Sequence, residues 1–203
     1  MSDKEDSIHQ DMDKRGGHKG KPTSFWMHDP EVIFKELKLS EGDCFLDIGC
    51  GVGDYSIYAA KIIGDSGMVY ALDRVEKLID ELKEKAESMK LNNIEAIAAD
   101  ITIPLPVKDN CVDVCLVATV LHAIGLANGK KLFEEIHRVL KPSGRMVTID
   151  CSKKDDSFGP PIEMRLSPED IEAMAAQCGF AKVGQVDLGF NYMIQFAVGK
   201  GIS

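Results

Sequence analysis

Four aspartates bear on a run of glycines, and their spacing poses the first chemical question. In FLDIGCGVGDYS, residues 45–56, Asp47 precedes Gly49, Gly51 and Gly53, and Asp54 follows the last glycine directly. Two later apolar runs, MVYALD and IEAIAAD, also finish on carboxylates, Asp73 and Asp100. A glycine turn between a strand and a helix normally holds phosphate on backbone N–H groups. This one is G-x-G-x-G rather than G-x-G-x-x-G, and it carries no Lys or Arg. A pyrophosphate set between two carboxylates would be repelled with nothing to offset it. A ligand of net positive charge with a cationic end, ribose hydroxyls and an amino-bearing ring suits the edge better, and S-adenosylmethionine fits that description where NAD, with its two phosphate negatives, does not.

The carboxylates meet only if successive strands deliver them to one edge of a sheet. The apolar pattern supplies such strands: CFLDI, MVYALD, IEAIAAD, VDVCLVATV and RMVTID, the fourth apolar on both sides and so central. Between them DYSIYAAKII, VEKLIDELKEKAESMK and GKKLFEEIHRVL read as helices, the second with Leu78, Leu82, Ala86 and Met89 on one face. Asp29-Pro30-Glu31 is a helix start, leading to a face of Val32, Ile33, Phe34 and Leu37. Ser167, Pro168 and Asp170 start another helix with capping-box spacing, and Gly179 fits the position just past its end. FAKVGQVDL and NYMIQFAVG close the chain as a hairpin. Strands alternating with helices predict an α/β fold with a mostly parallel sheet. Ligands of such folds bind beyond the carboxyl ends of the strands. Residues 1–24 are polar and read as a mobile tail, and residues 25–203 as a single domain.

Composition removes several classes. A net charge of −9 and a pI near 5.1 argue against a nucleic-acid partner, and no apolar run reaches the length of a membrane span. The charged N-terminus lacks the apolar region of a secretory signal. A cytoplasmic protein is expected, monomer or homodimer. The six cysteines form no C-x-x-C pair and mostly sit in apolar runs, so reduced, packed thiols are expected rather than a metal site or disulfides.

The segments LDIGCGVG, VYALD, AAD, VDVCLVATVLH and RVLKPSGRMVTID, in that order, resemble the class I S-adenosylmethionine-dependent methyltransferases over roughly residues 30–199. Among these they are most similar to the branch holding the ubiquinone and menaquinone C-methyltransferases and many small-molecule methyltransferases. The resemblance implies a Rossmann-like seven-stranded sheet in order 3-2-1-4-5-7-6, strand 7 antiparallel, with helices on both faces. It implies contacts to the methionyl part from the turn Gly49, Cys50 and Gly51, with Asp47 helping to hold the ammonium. Asp73 would take the ribose hydroxyls and Asp100 the adenine amino group. Arg74 and Ile101 would flank the ring, and Ala118 would lie beside the methionyl chain.

Methyl transfer needs a positioned nucleophile, and a base only where that nucleophile keeps its proton. His122, just past the fourth strand, is the candidate base. Asp150, ending the fifth strand, and Trp26 and His28, ahead of the first helix, are candidate substrate contacts. The [DN]-P-P-[FYW] motif of adenine and glutamine methyltransferases is replaced by ATVLH, and the ending DLGFNYMIQFAVGK departs from the quinone-pathway pattern. A small-molecule acceptor is expected. The alternatives are a non-catalytic protein that binds the cofactor or its product S-adenosylhomocysteine, an NAD-dependent oxidoreductase, and an arsenite methyltransferase, which needs converging cysteines.

Overall fold

The computed structural model describes residues 24–154, 156–157 and 159–199. The expected tail over residues 1–24 therefore lies outside the described residues, apart from Ser24. Seven strands form one sheet: β1 (Cys44–Ile48), β2 (Met68–Asp73), β3 (Ile94–Ala98), β4 (Val112–Ala118), β5 (Leu140–Cys151), β6 (Phe180–Asp187) and β7 (Asn191–Val198). Their order is 3-2-1-4-5-7-6. β7 runs antiparallel to both β5 and β6, and the remaining pairings are parallel. The reversal point between β1 and β4 brings Asp47 opposite Leu116 and Ile48 opposite Val117.

Among the described residues, five α-helices cover the sheet: α1 (Pro30–Leu37), α2 (Asp54–Ile63), α3 (Glu76–Ser88), α4 (Leu121–Val139) and α5 (Pro168–Gln177). Phe45, Val69, Val114, Leu116 and Val147 pack with apolar residues of α1, α2 and α3. Leu46, Ile48, Cys115, Val117 and Met146 pack on the other face with α4 and α5. β4 is apolar on both sides because it is covered on both, as its sequence anticipates.

Local signals explain most boundaries. Asp29 accepts from the Glu31 N–H at 2.9 Å and Pro30 opens α1. Ser167 and Asp170 form the reciprocal capping box at α5, and Gly179 follows with φ +84°. Four expectations shift. The buried stripe of α3 is Ile79, Leu82 and Ala86 rather than one led by Leu78. On α1, Ile33, Phe34 and Leu37 are buried whereas Val32 is exposed. Helical turns of α4 start at Leu121, eight residues ahead of Gly129, and Gly125, with φ +71° and ψ 171°, interrupts them before the helix runs on to Val139. Lys141-Pro142-Ser143-Gly144 does not separate helix from strand: Leu140 already pairs with Val112, and a register shift between Val112 and Val114 absorbs the extra residues.

Candidate active site

The glycine turn leaves β1 and is tied at once to the end of β2. The N–H groups of Gly49 and Cys50 both donate to the Leu72 carbonyl, at 2.7 and 2.9 Å, and Gly53 N–H donates to the Cys50 carbonyl at 2.9 Å. All three glycines have positive φ, which side chains rarely tolerate. Their reasons for being glycine differ. A Cβ on Gly49 would lie 2.4 Å from a Val120 methyl, and one on Gly53 2.2 Å from a Leu82 methyl, so these two serve close packing. A Cβ on Gly51 would meet nothing within 4 Å. Gly51 thus presents bare backbone to open space, which is what a ligand cradle requires.

Each carboxylate meets a different fate. Asp73 accepts from the N–H groups of Gly51, at 3.0 Å, and Val75, at 2.9 Å, one on each oxygen. Asp100 lies two residues beyond the end of β3, exposed, and one of its oxygens accepts from both the N–H and hydroxyl of Thr102. Those bonds hold its carboxyl below the usual range. Its other oxygen has no partner among the described residues. Asp47 does not reach the surface at all. It is 1% exposed and accepts from the Ser56 hydroxyl at 2.6 Å, and burial pushes its carboxyl up to about 7. It braces the turn onto α2. Asp54 is shared between the Trp26 indole N–H, at 3.0 Å, and Lys85, at 2.8 Å.

A cavity of about 320 Å³ opens where the turn, the end of β4 and the start of α4 converge. Gly49, Cys50, Gly51, Ala118 and His122 line it, bringing together five of the sequence candidates. Asp73, Arg74, Asp100 and Ile101 lie outside it along the ends of β2 and β3, where Arg74 and Asp100 are exposed. Trp26, 48% exposed, and His28 flank Met27, which does line the cavity. His28 is half-buried, its Nε2 has no hydrogen bond, and burial lowers its pKa.

Several cavity residues were not singled out from sequence. Phe25 packs edge-on against Tyr55, with centroids 5.0 Å apart, and both line the wall. Gly159, Pro160 and Phe190 form the opposite side. Behind them Arg165, 1% exposed, donates to the carbonyls of Pro160 at 2.8 Å and Ser152 at 2.6 Å, and its guanidinium lies 5.1 Å from the Phe190 ring centre. Only the Gly-Pro-Pro cluster marked this loop in the sequence. Its partners are remote along the chain, and no periodicity announces them.

At the cavity floor, Nδ1 of His122 and Oδ1 of Asp150 are 2.9 Å apart, and the His122 and Cys151 backbone N–H groups also donate to that carboxylate. Asp150 is fully buried. One ligand atom each from His122, Asp150 and Cys151 lie within 4.8 Å of one another, close enough to surround a cation. The carboxylate is already engaged by three N–H groups, however, and burial pushes the Cys151 thiol up to about 11. A hydrogen-bonded dyad fits these atoms better than a metal centre. Cys50 also lines the cavity, its thiol raised by burial, while Cys115 is core and Cys44 neighbours Cys111. The cysteines do not converge, and all six are free thiols.

The cradle at Gly51, the carboxylate at Asp73 and the absence of Lys or Arg among the cavity's lining residues fit S-adenosylmethionine. Comparison with known proteins agrees. A methyltransferase-domain family model matches residues 39–187. Demethylmenaquinone methyltransferases from Oceanobacillus iheyensis and Lactobacillus johnsonii are 29% identical over 119 residues and 33% identical over 121. These matches cover 59% and 60% of this chain and 49% of each relative, so the chain spans about half the length of these curated relatives. The crystal structure of a SAM-dependent methyltransferase from Aquifex aeolicus superimposes with a TM-score of 0.78 at 30% identity, covering 88% of this chain and 94% of that one. Fold, turn and matches together place the chain in the class I S-adenosylmethionine-dependent methyltransferase family.

Proposed function

We propose that this protein transfers the methyl group of S-adenosylmethionine to a small-molecule acceptor bound in the 320 Å³ cavity. The observation that carries the reading is the placing of the cavity directly against the Gly49–Gly51 turn and Ala118, the edge assigned to the methionyl chain. When bound, the cofactor supplies an electrophilic methyl on a sulfonium. The chain's own residues do the rest. Gly51 and its neighbours offer backbone to the methionyl part, and Asp73 offers its remaining lone pairs to ribose hydroxyls. Charge-assisted bonds of that kind contribute about 1.5–3 kcal/mol each. Asp100 offers its other oxygen to the adenine amino group, with Arg74 and Ile101 as flanks. Phe25, Tyr55 and Phe190 exclude water from the acceptor, and approximation supplies much of the rate.

The size and apolar walls of the cavity favour a compact, ring-bearing acceptor over a polymer. Apart from His122, Asp54 is the only acidic or basic side chain on the lining, and no Lys or Arg lines it, which speaks against nucleic acid. The curated relatives' names point the same way, to a quinone-type ring. No helix among the described residues is long and apolar enough to cross a membrane. Six free thiols suit the reducing cytoplasm, where we place the protein.

Calorimetry tests the cofactor half of this reading: S-adenosylmethionine and S-adenosylhomocysteine should bind in the micromolar range and NAD should not. Labelled S-adenosylmethionine added to a cell extract tests the acceptor half. Label should enter the low-molecular-weight fraction; label in RNA, DNA or protein would overturn it.

A further inference from the structure

We infer that His122 removes a proton from a hydroxyl on the acceptor, that Asp150 positions His122 for this task, and that the methyl group goes to that oxygen. This rests on the methyltransferase reading and names the acceptor chemistry of the same cavity.

Asp150 is a carboxylate-bearing side chain with 0% exposure, and its sole ion-pair partner among the described residues is His122. A carboxylate oxygen only accepts, so Nδ1 of His122 is the donor across the 2.9 Å contact. The neutral ring then carries its lone pair on Nε2. That atom has no hydrogen-bond partner among the described residues, and the ring, 15% exposed, forms part of the cavity lining. The backbone fixes the rest: Asp150 also accepts from the N–H groups of His122 and Cys151, so neither ring nor carboxylate is free to turn away. A bare imidazole nitrogen, held in one tautomer on a ring that lines the cavity with the Gly49–Gly51 turn, is a general base. A buried carboxylate without a cation is a costly group. Proton uptake by His122 gives it one at the moment the base acts, which stabilises the imidazolium.

The base selects the acceptor. A thiolate or a neutral amine attacks a sulfonium methyl without help, whereas a hydroxyl keeps its proton near neutral pH and needs one. Phe25, Tyr55 and Phe190 on the walls suit a flat ring bearing that hydroxyl. In the step, the acceptor O–H bond breaks and the proton passes to Nε2 of His122. The oxygen lone pair forms the O–CH3 bond as the methyl–sulfur bond breaks, and that bond's electron pair stays on sulfur. The proton then leaves His122 to water.

The charged and titratable groups around the dyad are Asp150 and Cys151 on β5, Tyr192 opposite Asp150 on β7, Arg165 behind the loop and Glu163 on the turn Ile162–Met164 that packs on α4. Tyr192 is tied to the Leu166 carbonyl at 2.8 Å and its hydroxyl is raised by burial, as is the Cys151 thiol. Neither competes with His122 as a base near neutrality.

The test uses [methyl-13C]S-adenosylmethionine with a low-molecular-weight filtrate of a cell extract and three proteins: wild type, His122→Gln and Asp150→Asn. The expected product carries its label as a methoxy carbon in 13C–1H spectra. Its formation should fall about 10²-fold or more in His122→Gln. In Asp150→Asn it should also fall, with the loss in kcat rather than KM and with the alkaline rise of the pH–rate profile moved to lower pH. Asp150→Asn should also change the His122 tautomer seen in long-range 15N–1H spectra of the ligand-free protein, where wild type shows Nδ1–H. Calorimetric affinity for S-adenosylhomocysteine should be unchanged in both variants. A methyl on sulfur, nitrogen or carbon, an undiminished rate in His122→Gln, or an Nε2–H tautomer in wild type overturns the inference. So does the absence of any product from a protein that binds cofactor normally. Failure to bind S-adenosylmethionine would instead bring down the methyltransferase reading beneath it.

Discussion

The backbone N–H of Gly51 donates to Oδ2 of Asp73 across 3.0 Å, bridging 22 residues of chain. Two groups assigned to different ends of one ligand are therefore bonded directly to each other. The other Asp73 oxygen holds the Val75 N–H at the start of α3. The carboxylate fixes the cradle as well as offering acceptors to ribose.

This dual task predicts the behaviour of Asp73→Ala. Affinity for S-adenosylmethionine and S-adenosylhomocysteine should drop by at least about tenfold in calorimetry, since the ribose acceptor and the Gly51 tether go together. Thermal stability should fall only modestly, because both freed N–H groups lie near solvent. An unchanged affinity would place the ribose elsewhere.

Gly51 and Gly53 should separate binding from folding. Gly53→Ala forces a Cβ to within 2.2 Å of Leu82 at φ +78°, and should lower stability by roughly 2–3 kcal/mol in urea titrations. Gly51→Ala meets no atom, so only the left-handed backbone is strained, by about 1–2 kcal/mol. Its methyl should fill the cradle and weaken cofactor binding about tenfold or more. The reverse pattern would contradict the roles given to the two glycines.

Asp47 predicts a pH effect of defined sign. Burial raises its carboxyl from 3.8 to about 7, so the folded state holds the proton more tightly than the unfolded chain. The stability this contributes is complete below pH 3.8 and is lost as pH climbs through 7. At about 1.4 kcal/mol per pH unit, the upper limit is roughly 4 kcal/mol. Asp47→Asn keeps an acceptor for Ser56 and removes the titration. Its melting temperature relative to wild type should rise as pH climbs from 3.8 toward about 7 and level off above that. A difference that stays constant with pH would show Asp47 to be ionised throughout.

Arg165 tests the acceptor-side wall. Arg165→Leu strips donors from the carbonyls of Ser152 and Pro160 and should cost roughly 2–4 kcal/mol. Proteolytic cleavage should appear between 152 and 161, and KM for the acceptor should rise while cofactor affinity stays near wild type. Equal losses in both affinities would mean that the loop supports the cofactor half too.

The amino-acid sequence by itself determined the periodic and local parts. Strand β2 and helix α2 follow from apolar runs, capping residues and glycines, which act over a few neighbours and are therefore readable in order. The turn Gly49–Gly51 and Asp73 were legible because strand ends in a parallel sheet converge on one edge. Asp100 was found, but that Thr102 supplies both partners of one of its oxygens was not, since a side chain chooses among local partners only in three dimensions. What the tertiary structure alone decided is the acceptor side. It buried the Asp47 carboxylate, set Phe25 against Tyr55, put Arg165 against the Phe190 ring, and brought Asp150 to His122 across 28 residues of helix and strand. These contacts join residues tens of positions apart on loops and strand ends. No helical or strand period links them, so their pairing is set by how the layers pack.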